Sequence, residues 1–135
     1  MPRIDAAKVW SLNYRLLSTI ITSVAPRLTA LGLEAKELFM LAAIDEHPHP
    51  AGLADILCMP KPTVTVYLKR LGEADFLRRE IDPGDLRRHR LTVTPAGRKV
   101  MTRGLALLSE AFGARLSRLS TAEQVQLATL LEKLN

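Results

Sequence analysis

The chain contains a single cysteine. One thiol cannot close an internal disulfide, so a disulfide framework is excluded and a reducing, cytoplasmic setting is expected. No apolar run approaches the roughly 20 residues that cross a bilayer, and the N-terminus lacks a signal-peptide layout, so no membrane partner is expected. Repeats and low-complexity tracts are missing. So are a glycine-rich phosphate loop, a GxSxG elbow and an HExxH pair. His47 and His49 flank Pro48 with no cysteine or acid pair at ligand spacing, so a solvated loop is expected there, not a metal site. Asp45 and Glu46 are adjacent and face different ways on a helix, which makes them a poor acid–base pair. No catalytic residue, metal or cofactor is expected. An enzyme would need a polar pocket that the sequence does not offer.

What is present is ordinary globular material: 135 residues, 47% hydrophobic and 24% charged. That is enough for one domain with its own core. The charge is unevenly placed. Residues 61–103 hold 11 of the 19 basic residues and five of the 14 acids, a net +6, while the remainder sums to −1. A basic block in a neutral frame suits a polyanion, with nucleic acid first among them.

Residues 5–31 read as helix, with Trp10, Tyr14, Leu17, Ile21, Val24 and Leu28 in one stripe and Val9, Leu16 and Ile20 widening it. Pro26 should kink or end that helix, and Gly32 marks a stop. Residues 34–45 form a second helix with Leu38, Leu41 and Ala42 inward, broken by the "HPHP" at 47–50. A short third helix covers 51–58 around Leu53, Ile56 and Leu57.

"PKPTVTVYLKRL" (60–71) sends two messages. Thr63 to Tyr67 is β-branched and aromatic, which favours a strand. Val64, Tyr67, Leu68 and Leu71 follow a helical spacing instead. As a strand the pattern would break at Lys69-Arg70-Leu71, and prolines 60 and 62 fit a first helical turn. The segment is therefore a helix from about 61 to 74. Its outer face, unusually, carries Pro62, Thr65, Val66, Lys69 and Arg70.

Residues 76–94 alternate as two strands around Asp82-Pro83-Gly84-Asp85, where proline and glycine preset a turn. The tip is loaded with arginine. Thr94 and Pro95 then open a long helix striped by Met101, Leu105, Leu108, Phe112, Leu116 and Leu119. Ser120 to Glu123 forms a capping box for a last helix, with Leu127, Leu130, Leu131 and Leu134 inside.

This order is mainly α with a small β-hairpin wing: a winged helix-turn-helix. The second helix of such a pair enters the major groove, and the wing reaches along phosphates or into the minor groove. That assigns a use to the odd outer face. Thr63, Thr65 and Val66 are short enough for close approach and carry methyl groups that can meet thymine methyls. Lys61, Lys69 and Arg70 supply phosphate or guanine contacts.

The stretches "LADILCMPKPTVTVYLKRLGEADFLRR" (53–79), "DPGDLRRHRLTVTPAGR" (82–98) and "LSTAEQVQLATLLEKL" (119–134) resemble the multiple-antibiotic-resistance regulator (MarR) family of bacterial transcription factors. The resemblance implies a single domain over 1–135, with a DNA-binding lobe at 33–94 and dimerisation helices at 1–32 and 95–135. It implies a homodimer repressing a palindromic operator on double-stranded DNA, relieved by a small, often aromatic and acidic effector. Asp85 and Arg87 fall on the family's wing pair, and Lys61, Thr63 and Thr65 on its groove-facing positions. Pro62, Val66, Lys69, Arg70, Arg88 and Arg90 complete the expected DNA-binding set. Asp75 stands where the family has a helix-ending glycine. The effector would lie between the dimer helices and the DNA-binding lobe, with Trp10, Tyr14, Arg15 and Phe39 as its candidate residues. Two alternatives stay open: a winged-helix module that binds protein without specific DNA binding, and a thiol-based redox sensor acting through Cys58. Cys58, among Ile56, Leu57 and Met59, is expected to be a small buried residue.

Overall fold

The computed structural model describes residues 3–135 as six helices and a two-stranded antiparallel sheet: α1 (Ala6–Ala30), α2 (Ala35–Ile44), α3 (Pro50–Ile56), α4 (Lys61–Glu73), β1 (Leu77–Asp82), β2 (Asp85–Val93), α5 (Pro95–Leu116) and α6 (Thr121–Leu134). Two compact units divide the chain. One runs from Ala25 to Leu105, and the other joins the residues up to Val24 with Ala106–Asn135.

The Ala25–Leu105 unit holds most of the core. Leu28, Leu33, Leu38, Met40, Leu41, Ile44, Leu53, Val64, Leu68, Leu71, Leu77, Leu91 and Val93 are all buried in it. Two inward assignments fail on helix phase: Ala42 is exposed while Met40 and Ile44 take the buried side of α2, and Ile56 lies open at the end of α3. The helix does not end at Pro26 either, since α1 continues to Ala30. The missing donor costs one helical hydrogen bond, and burial of Val24 and Leu28 on either side holds the helix through it. The turn that follows the helix is closed by Gly32, whose φ of +84° is the left-handed conformation that favours glycine.

The junction between the wing and α5 is tightly made. Asp75 adopts φ +62°, the left-handed turn expected of a residue standing in for glycine. Thr94 Oγ1 donates to the Asp75 carbonyl at 2.6 Å and accepts from the Gly97 N–H at 2.9 Å, capping α5 as expected. The Thr94 N–H bonds the Phe76 carbonyl at 3.1 Å. Gly97 lies so close to that carbonyl that it has no room for a side chain. Next to Gly97 in the first turn of α5, Arg98 forks onto Asp45 at 2.7 and 3.0 Å, and its hydrogen bonds and charge hold the Asp45 carboxyl below the usual carboxylate range.

In the other unit the capping box of α6 forms as expected, with Ser120 and Glu123 exchanging hydrogen bonds at 2.9 and 3.2 Å. The apolar stripes are another matter. No residue of α6 is buried, Leu130 and Leu131 are exposed, and Leu134 is 82% exposed. On α1, Val9, Trp10, Tyr14 and Leu17 are also open. The sequence places these side chains inside something, and a single chain does not supply it.

Candidate nucleic-acid interface

Helix α4 is assembled from its buried side outward. Val64, Leu68 and Leu71 fix α4 against the core, and α3 packs against it. This tertiary contact carries a sequence of low helical propensity, because β-branched residues lose χ1 freedom in a helix. The opposite face presents Lys61, Pro62, Thr65, Val66, Lys69 and Arg70, all exposed, with Thr63 half-buried at the edge. Pro60 sits at the N-cap without a side-chain cap, and Pro62 falls within the first turn. The Thr65 hydroxyl donates back to the Lys61 carbonyl at 3.0 Å, so what it can offer a base edge is a lone pair and a methyl group.

Arg70 differs from expectation. Its guanidinium donates to Glu34 at 3.0 Å and lies 5.6 Å from the centroid of the Tyr67 ring, and Tyr67 donates to the same carboxylate at 3.2 Å. Glu34 also caps α2 in a capping box with Glu37. The hydrogen bond and charge of Glu34 raise the Arg70 pKa further, while desolvation, then Glu34, raise that of the Tyr67 phenol. Arg70 thus ties α4 to the start of α2, and Lys61 and Lys69 are the cations left on the outer face.

The wing pairs Leu77 with Val93 at its root and Ile81 with His89 near its tip, with an irregularity between Ile81 and Asp82. Asp82 Oδ1 accepts from the Gly84 N–H at 2.8 Å and Asp85 Oδ1 from the Arg87 N–H at 3.0 Å, so each acid organises one side of the turn. Asp85 also lies 3.6 Å from Arg87 Nε, yet the Arg87 side chain is 94% exposed. Arg88 and Arg90 are exposed as well. Leu86, not singled out by the sequence reading, stands 79% exposed between Asp85 and Arg87.

His49 overturns the expectation of a solvated loop. It is half-buried, with one ring nitrogen 3.3 Å from Asp82 Oδ2 and the other 3.0 Å from the His89 carbonyl. Among the described residues, no group of three His, Cys, Asp or Glu side chains could hold a metal. Cys58 is exposed, not buried, at φ +52°, with Sγ 3.8 Å from the Asp55 carbonyl. The left-handed turn after α3 swings it away from the core.

Of the effector candidates, Trp10, Tyr14 and Arg15 share a groove of about 550 Å³ on α1 with Ser11, Ser18, Thr19 and Thr22. Trp10 and Tyr14 stack at 6.3 Å between ring centroids. Phe39 is half-buried on α2 and does not line that groove.

Because Val66 and Thr65 are uncharged and outward, they should read sequence while adding little to general affinity. Val66→Ala is expected to weaken specific binding by at most about 1–3 kcal/mol and to leave non-specific binding nearly intact. Titration of operator duplexes with the contacted thymine replaced by uracil checks this: the substitution should reproduce the loss and make the mutation silent. Independent, additive effects at every position would refute methyl contact.

Residues 33–89 match the family model described as the MarR family. An HTH-type transcriptional repressor of Mycobacterium tuberculosis is 27% identical over 132 residues, spanning 96% of this chain and 95% of the relative. A crystal structure of an M. tuberculosis MarR family protein in complex with p-aminosalicylic acid superposes with a TM-score of 0.74 at 26% identity, covering 92% of this chain and 95% of that one. The crystal structure of MarR gives a TM-score of 0.80 at 23% identity over 93% of each chain, a likeness of fold. The family match falls on the segment that builds α4 and most of the wing, and the likenesses to the relatives run over nearly the whole chain: along its length the chain is similar to MarR-family proteins.

Proposed function

We propose that this protein is a homodimeric, sequence-specific DNA-binding repressor of a palindromic operator, released by a small aromatic acid, and that it acts in the cytoplasm by binding, not by catalysis. One observation carries the reading. A single compact unit presents an α4 face of short methyl-bearing side chains beside two cations, together with a wing whose arginines point into solvent. The assignment of 33–94 to DNA and of 1–32 and 95–135 to dimerisation belongs to the same proposal. It is supported by the open apolar faces of α1 and α6, which are of the kind that mark an interaction surface. The similar M. tuberculosis repressor supports the direction of control, and the salicylate-type ligand of the similar crystal structure supports the effector class. Trp10, Tyr14 and Arg15 offer two rings and a guanidinium to such a ligand, and Phe39 is retained as a further candidate.

Selection of bound sites from random duplex DNA tests the proposal. The recovered sites should form a palindrome with half-site centres about 10 base pairs apart. Sedimentation at micromolar concentration should give twice the 15.0 kDa chain mass. A monomer, or recovered sites without a dyad, would refute it.

A further inference from the structure

We propose that His49 is the residue that aims the wing, gripping both of its strands from the start of α3. The inference rests on the DNA-binding reading above, and the geometry that carries it is independent of that reading. The wing is anchored at its root by buried Leu77, Leu91 and Val93. Beyond Leu91 the apolar anchorage stops: residues 86–90 of β2 and 78–81 of β1 are all exposed, Ile81 among them. A two-stranded ribbon with no buried face is marginal in water. Polar ties must therefore set where the outer half of this one points.

His49 supplies them. Its Nε2 lies 3.3 Å from Asp82 Oδ2 on β1, and its Nδ1 lies 3.0 Å from the His89 carbonyl on β2. One ring thus spans the two strands just below the turn. A backbone bond from the Leu91 N–H to the Pro48 carbonyl, 2.7 Å long, fixes the neighbouring residue to β2 as well. His49 is also the N-cap residue of α3, which packs on the reading helix. The grip therefore transmits the position of the helix pair to the wing tip, where Asp82 organises the turn through the Gly84 N–H. The two ring nitrogens face a carboxylate on one strand and a backbone carbonyl on the other, so the ring bridges β1 and β2 from a single side chain. His49 makes no side-chain capping bond to α3. Its removal costs the helix no cap, which separates wing positioning from helix stability.

Two measurements on the full chain test this. In the DNA-free protein, amide hydrogen exchange over residues 79–90 should accelerate about tenfold in His49→Ala, the scale of one lost charge-assisted hydrogen bond, while the α4 amides stay protected. On an operator duplex, His49→Ala should bind about tenfold more weakly. It should lose hydroxyl-radical protection where the wing lies and keep guanine methylation protection where α4 lies. Asp82→Ala should also loosen the wing, and because the His49–Asp82 contact is shared the double variant should cost less than the sum of the two single ones. Asp82→Asn should retain most of the wild-type behaviour. Its amide can donate to the Nε2 lone pair of a neutral ring, and its oxygen can still accept from the Gly84 N–H. Unchanged wing exchange in His49→Ala, or full additivity of the two alanine variants, overturns the proposal with or without DNA. A wild-type protein that protects no guanine on any duplex overturns the DNA-binding reading instead, and the exchange result still decides whether His49 holds the wing.

Discussion

Gly97→Ala is expected to destabilise the protein by about 3 kcal/mol or more, read as a shift of the denaturant midpoint at unchanged slope. A methyl group at this position would lie 1.9 Å from the Phe76 carbonyl oxygen and 2.8 Å from its carbon. Neither atom belongs to a side chain that can swing aside. The same oxygen accepts from the Thr94 N–H, and Thr94 in turn binds the Asp75 carbonyl and caps α5 through the Gly97 N–H. Relief of the clash therefore breaks the junction between α4, the wing and α5. Gly72→Ala is the control. Nothing lies within 4 Å of a methyl group there, so alanine in place of that helical glycine should stabilise by about 0.5–1 kcal/mol. Equal effects at the two sites would mean that the close approach is not held in solution.

The double substitution of Arg87 and Arg88 by alanine should leave folding untouched and strip the wing of its phosphate contacts. Arg87 is almost wholly exposed and its contact with Asp85 is long, so thermal stability should not move. Each phosphate contact contributes about 0.9 to the slope of log affinity against log salt. Two arginines on each wing of a dimer amount to about four contacts, so the slope should flatten by about 4 and affinity at moderate salt should fall on the order of a hundredfold. Titrations at several salt concentrations check both. An unchanged slope would mean that the wing does not touch DNA.

Local chemistry was legible in the sequence, and long-range chemistry was not. The competing strand and helix signals of residues 60–71 are decided by spacing, because Val64, Leu68 and Leu71 must share one side to reach a core. The Thr94 cap and the Ser120–Glu123 box each involve neighbours in sequence, and each was readable, whereas the left-handed turn at Asp75 followed from the family resemblance. Pro26 did not end α1, because a proline's local cost can be outweighed by the burial of Val24 and Leu28 around it. Cys58 misled because one left-handed residue after α3 reverses its direction. The partners of Arg70 and His49 stand 36 and 33 residues away, at Glu34 and Asp82. No periodicity encodes such a pairing. In sequence Arg70 is one more cation on a reading face and His49 one more polar loop residue; only the folded chain gives them anchoring roles.

In the proposed homodimer, the bare surface of α6 would make this protein sensitive to its own abundance. If α6, which buries none of its residues within one chain, is covered by a second copy as proposed, then by mass action the population of complete molecules grows with the square of chain concentration when chains are scarce. Occupancy of a two-fold site then responds to dosage more steeply than one-to-one binding allows. A modest fall in synthesis, or dilution at cell division, would open the operator sharply even with no effector present.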